Sequence, residues 1–184
     1  MATAKLATDL YTKPAMNAIG GARWEYRTYS MAAADMVTTN VFALAPFPAG
    51  HRLVDAFVEC TDIDSATSAA FDVGILNSYF GDAFPTVAKP AAYSVNGLTD
   101  TGTVSGLVSG GNLFSAITIG QAGGRARLGM SAASTYTLTP SYSIGVSEYK
   151  DRIVALQFTT NPGTAVAGYV TIGLCFERDQ EVNT

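Results

Sequence analysis

The feature that most constrains this chain is an apolar pattern of period two, repeated in short runs that proline, glycine and asparagine interrupt. A two-residue period places alternate side chains on opposite sides of an extended strand. From Arg23 to Tyr29 it separates Arg23, Glu25 and Arg27 from Trp24, Tyr26 and Thr28, with the Trp24 side read as the core face. Met36–Leu44 predicts a second strand, stopped by Pro46 and Pro48. Arg52–Thr61 predicts a third, with Val54, Ala56, Val58 and Cys60 on one face, and Ala69–Leu76 a fourth, with Phe71, Val73 and Ile75 inward and Asp72 opposite. Shorter strands are expected at Leu113–Ile119 and Tyr136–Ile144. Arg152–Thr160 and Ala165–Glu177 read as two strong strands around the turn signal Asn161-Pro162-Gly163, a C-terminal hairpin.

The only helical hint is the weak stretch Ser30–Asp35, and no repeat of the kind that builds solenoids is visible. About eight strands with closely spaced turns predict an all-β fold, an antiparallel β-sandwich of jelly-roll-like form. Residues 23–184 are expected to form this single domain. Residues 1–22, small and polar with Pro14 and closing on Gly20 and Gly21, are expected to form an extended N-terminal arm, either a loose terminus or a strap lying on a neighbouring subunit.

Charge narrows the function. Of 184 residues only 14% are charged, against roughly 25% in ordinary globular domains. A surface so sparsely ionised implies coverage by other subunits. With 11 Lys and Arg against 15 Asp and Glu, the net charge of −4 excludes nucleic acid as the main partner, because phosphate binding needs a basic face. No apolar run reaches membrane-spanning length and no signal-peptide core precedes Gly21, so neither a membrane partner nor export by that route is expected.

Residues that could carry chemistry are few. His51 is the single histidine, so a nucleophilic triad would have to run through it, yet no G-x-S-x-G elbow supplies a partner. Asp62, Asp64 and Asp72 invite a calcium reading, but an EF-hand loop from Asp62 would have Ala66, Thr67 and Val73 where a ligand, a glycine and a glutamate belong. Local Asx turns are the alternative. Gly120–Arg125 has the glycines of a phosphate loop without its Lys-Ser/Thr ending. Cys60 and Cys175 fit free buried thiols, with a disulfide left open. No catalytic, cofactor or metal residue is assigned. Arg125 and Arg127 are the only charges between Thr101 and Ser147, which makes them candidate interface residues for carboxylates on a neighbour.

The stretch Phe47–Gly74, FPAGHRLVDAFVECTDIDSATSAAFDVG, combines a Pro-Ala-Gly turn, a Val/Leu strand, a Thr-Asp-Ile-Asp turn and a strand ending Asp-Val-Gly. It resembles tailed-bacteriophage capsid decoration (cement) proteins. The resemblance implies a non-enzymatic β-sandwich, often a homotrimer, made in the host cytoplasm and bound to the capsid exterior of the virion. Its partner there would be the major capsid protein, several copies of which it clamps at once. Aromatic anchors would be Tyr11 in the arm and Tyr79, Phe80 and Phe84 after the fourth strand, which could equally be core residues under a loop. The second reading is a carbohydrate- or receptor-binding β-sandwich of a phage tail or fibre, with surface aromatics stacking on sugars; Trp24 on a core face weighs against it.

Overall fold

The computed structural model describes residues 4–6, 21–48, 50–79, 93–95, 98–100, 112–128, 142–143 and 152–178. Their strands, in chain order, are β1 (Ala4–Leu6), β2 (Arg23–Met31), β3 (Val41–Phe47), β4 (His51–Cys60), β5 (Ala70–Tyr79), β6 (Tyr93–Val95), β7 (Leu98–Asp100), β8 (Asn112–Ile117), β9 (Gly124–Arg127), β10 (Tyr142–Ser143), β11 (Arg152–Thr160) and β12 (Gly168–Arg178). One sheet runs β1-β3-β11-β5-β8, and the other runs β10-β4-β12-β2 with β9 also pairing β4. From β2 to β5 the chain changes sheet at every step, and again from β11 to β12. This is the antiparallel, jelly-roll-like sandwich that the short alternating runs predict; β1 alone pairs in parallel, Ala4–Leu6 against Val41–Ala43 of its own chain.

The core lies between the sheets. Val170, Ile172, Leu174 and Phe176 of β12 project onto Phe71, Val73 and Ile75 of β5 and onto Val154, Leu156 and Phe158 of β11, all 1% exposed or less. Edge-to-face ring pairs stitch the layers: Tyr29 with Phe42 at 5.5 Å and Phe47 with Phe176 at 5.0 Å between centroids. Such rings carry both the largest apolar area and directional quadrupole contacts. The first sheet is buried on both faces along β3, all of whose residues are buried, and along β11, where Ile153, Ala155 and Gln157 are buried as well as the core-facing set.

Several expectations are corrected. The second strand begins at Val41, because Ala33–Asp35 forms a 3₁₀ turn and Asn40 Nδ2 donates to the Asp35 carbonyl at 2.7 Å, closing the loop before it. The strand also passes through Pro46, which pairs Ile153 of β11 and, among the described residues, nothing on its other side; a proline lacking an N–H is tolerated on such a side. In β4 the register against β12 shifts between Cys175 and Phe176, so Leu53 and not Val54 takes the inward place and Val54 is exposed. This is the effect of one bulged residue. The C-terminal hairpin does not form: β11 and β12 join different sheets, and the residues after Asn161 cross between the layers.

The faces of β2 are reversed from expectation. Its ladder with β12 sets Arg27 opposite Ile172 and Glu25 opposite Leu174, on the core side. Arg27 is 9% exposed, while Tyr26 on the outer side is 57% exposed. Directly paired residues share a face, so the inward residues of β12 dictate which side of β2 turns inward, against the preference of its own side chains.

Candidate interaction surface

The outer face of the second sheet is a layered cluster of rings and guanidinium groups. Ladder pairs place Tyr26 of β2, Gly173 of β12, Phe57 of β4 and Arg127 of β9 in one row across the sheet, with Trp24, Cys175 and Asp55 in the next. Gly173 is the device that lets the row close up. A Cβ there would lie 2.2 Å from Phe57 Cε1, so the missing side chain is the space over which Phe57 lies. Phe57 thereby comes within 5.8 Å of both Trp24 and Tyr26, whose own rings are near-parallel at 5.9 Å.

The two arginines fix the margin. Arg125 Nε donates to Glu59 Oε2 at 3.1 Å, and its guanidinium carbon lies 4.5 Å from the Phe57 centroid. Arg127 Nε donates to Asp55 Oδ2 at 2.8 Å, and its guanidinium carbon lies 6.0 Å from the Trp24 ring. The Asp55 hydrogen bond and charge hold the Arg127 guanidinium above its ordinary pKa. Each arginine therefore pairs with a carboxylate of its own chain and stacks on an aromatic face. The result is a charge-balanced patch of planar groups with exposed Tyr26 and, further along β12, Tyr169 at 55%.

Other candidate residues have different settings. Tyr79 ends β5, its backbone paired with Arg152; Tyr11, Phe80 and Phe84 lie outside the described residues. His51 opens β4 opposite Arg178, with Cys60 at the far end of the strand, about 30 Å away at ~3.3 Å per residue. Both cysteines are free and buried. Burial, with a contribution from the Asp62 charge, pushes the Cys60 thiol up to about 12. Burial likewise raises Cys175, helped by Asp55 and Glu177 and opposed by Arg127. Nucleophilic thiols need the opposite shift.

The acidic turn is an Asx-type staple. Asp62 Oδ1 accepts the Asp64 N–H at 3.1 Å. The Asp64 carboxylate accepts backbone N–H groups from Ala66, Ser68, Ala69 and Thr164 at 2.6–3.1 Å, plus the Ser68 hydroxyl at 3.2 Å. Its lone pairs are thus occupied by donors. Asp72, on β5, accepts instead from the Ala116 N–H at 2.6 Å. Among the described residues no three His, Cys, Asp or Glu side chains are grouped to hold a metal ion. The Gly120–Arg125 segment is a 3₁₀ turn leading into β9, with the Gly120 carbonyl accepting from Ile63.

Sequence periodicity reveals neither the Phe57–Gly173 contact nor the outward Trp24. The signal present in the sequence was a glycine among the outward positions Thr171, Gly173 and Cys175, between the inward Val170, Ile172, Leu174 and Phe176.

The fold and this outer face together define an all-β sandwich whose described site is a surface. Two solved phage structures share that fold. A chain from the capsid of Ralstonia phage GP4 aligns with a TM-score of 0.65 at 19% identity, covering 97% of this chain and 100% of that one. A chain from the cyanophage Pam1 capsid asymmetric unit aligns with a TM-score of 0.52 at 12% identity, covering 90% and 91%. No protein-family model matches the sequence, and no curated protein does.

Proposed function

We propose that this chain is a non-enzymatic structural protein of a tailed-phage virion. In this reading it sits on the outside of the icosahedral shell as a homo-oligomer, a trimer in the family it resembles, and steadies the shell through simultaneous contacts with several major capsid subunits. The observation that carries the reading is the end-to-end structural match with chains of two phage capsids, one of them covered completely. The low charge content agrees, since a protein enclosed by neighbours needs little ionised surface. Modest contacts repeated around an oligomer reach high avidity without any one of them being strong.

The test is to look for the protein on purified virions and to add it to shells that lack it. Stoichiometric occupancy and a raised temperature of shell disruption support the reading; absence from virions together with no binding to shells overturns it.

One observation favours the second reading, a carbohydrate- or receptor-binding module of a tail or fibre: Trp24 and Tyr26 face outward. Binding on a glycan array that Tyr26→Ala abolishes would select it.

A further inference from the structure

Among the described residues β2 is the terminal strand of its sheet, and its free edge differs from the other sheet ends. It runs nine residues in unbroken register against β12, without proline or lysine. Among the described residues the other ends are short or irregular: β1 has three residues, β10 two and β9 four, and β8 pairs β5 through register shifts. In an antiparallel ladder every second residue of an edge strand turns both its N–H and its C=O outward. Natural proteins shorten, bulge, charge or block such edges unless a strand is meant to join them. The inward charges of β2, Glu25 and Arg27, are of opposite sign, so they deter most strands but complement a second β2.

We propose that the β2 edge pairs with the β2 edge of a second copy, antiparallel about a two-fold axis through Tyr26. For both copies to keep their rings on one outer surface, residues of like facing must pair, so the axis passes through a residue and not between two. Centring on Glu25 opposes glutamate to glutamate, and centring on Arg27 opposes arginine to arginine. Centring on Tyr26 sets Glu25 across from Arg27 twice, Trp24 across from Thr28, and Tyr26 beside its own twin. Opposite charges directly across a ladder are favourable and like charges are not. Centring on Trp24 also opposes Arg23 to Glu25 but pairs only three residues of each strand against seven for Tyr26, so the Tyr26 register alone keeps both the ion pairs and the length of the edge. The two outer-face ring clusters then merge around the paired Tyr26 rings, which are well exposed in the single chain. The contact does not depend on the virion reading.

Site-directed cross-linking tests it with the full chain. Tyr26→Cys brings two thiols to the axis at a Cβ separation of about 4.5–5.5 Å, which a small backbone adjustment closes to the disulfide range of about 3.5–4.5 Å. Ser30→Cys lies on the same outer face but about 27 Å from its twin, eight residues along at ~3.4 Å each. Under mild oxidation Tyr26→Cys is expected to form a covalent dimer roughly tenfold faster or more than Ser30→Cys, because held thiols have a high effective concentration. Tyr26→Arg, which sets like charges at the axis on an exposed position, is expected to halve the mass in solution. Equal cross-linking rates for the two cysteine variants, or an unchanged mass for a folded Tyr26→Arg, overturn the proposal.

Discussion

Thr164 donates its backbone N–H to the Asp64 carboxylate at 3.0 Å, joining the β4–β5 turn to the β11–β12 crossing. Val166 and Ser65 add backbone bonds to Ile63 and Thr164 across the same seam. Burial alone would raise the Asp64 pKa, but the N–H donors of Thr164, Ser68, Ala69 and Ala66 outweigh it and hold the carboxyl well below the usual carboxylate range.

Asp64→Asn is expected to lower stability at neutral pH, since an amide group would face N–H donors with donors of its own. Because the folded pKa is depressed, the contribution of Asp64 is complete above the unfolded value of about 3.9 and is lost as pH falls through the lower folded value. Chemical denaturation of both proteins should therefore show a gap that is constant near neutrality and narrows below about pH 4. A gap that widens on acidification contradicts the assignment.

Gly173→Ala should displace the Phe57 ring, whose Cε1 would lie 2.2 Å from the new methyl. The expected cost is about 1–3 kcal/mol, the range for overpacking. Phe57→Leu in the same chain should recover part of it, and a double-mutant cycle measures that coupling directly.

Phe176→Ala removes one ring of the pair that spans the sheets at Phe47. Truncation of so buried a phenylalanine is expected to cost about 3–5 kcal/mol, read as a lowered denaturant midpoint. Arg125→Ala, whose ion pair with Glu59 is well exposed, should cost about 1 kcal/mol or less. If the second loss matched the first, the outer cluster would be a structural core and not a surface.

Neither thiol is expected to react with a chromogenic disulfide reagent at pH 8 until the chain unfolds, and both should react afterwards. The Cys60 pKa is raised on folding, to about 12. Its stabilising contribution is therefore complete below the unfolded thiol value of about 8.5 and is lost as pH rises from there to about 12. Cys60→Ala should flatten that alkaline fall, which pH-dependent unfolding would show.

The sandwich was legible because half-buried strands write their burial into a period of two, as Phe71, Val73 and Ile75 or Leu156 and Phe158 do. Arg125 and Arg127 stood out as isolated charges, but whether their carboxylates lay on the same chain was a question of which strand paired β9. The two aspartates after β4 suggested a turn; the closing donor, Thr164, comes from the far end of the chain.

Local alternation determined that this chain would be built from half-buried strands, because the choice between in and out at successive residues depends only on neighbours one and two positions away. Which face of β2 turned inward, which strands became sheet ends, and the crossing of Asn161–Ala167 from one layer to the other depended on pairing between distant segments. Trp24 is the clearest case. Its own strand would bury it, but β12 had already committed Ile172 and Leu174 to the core, and a paired strand must share its partner's facing.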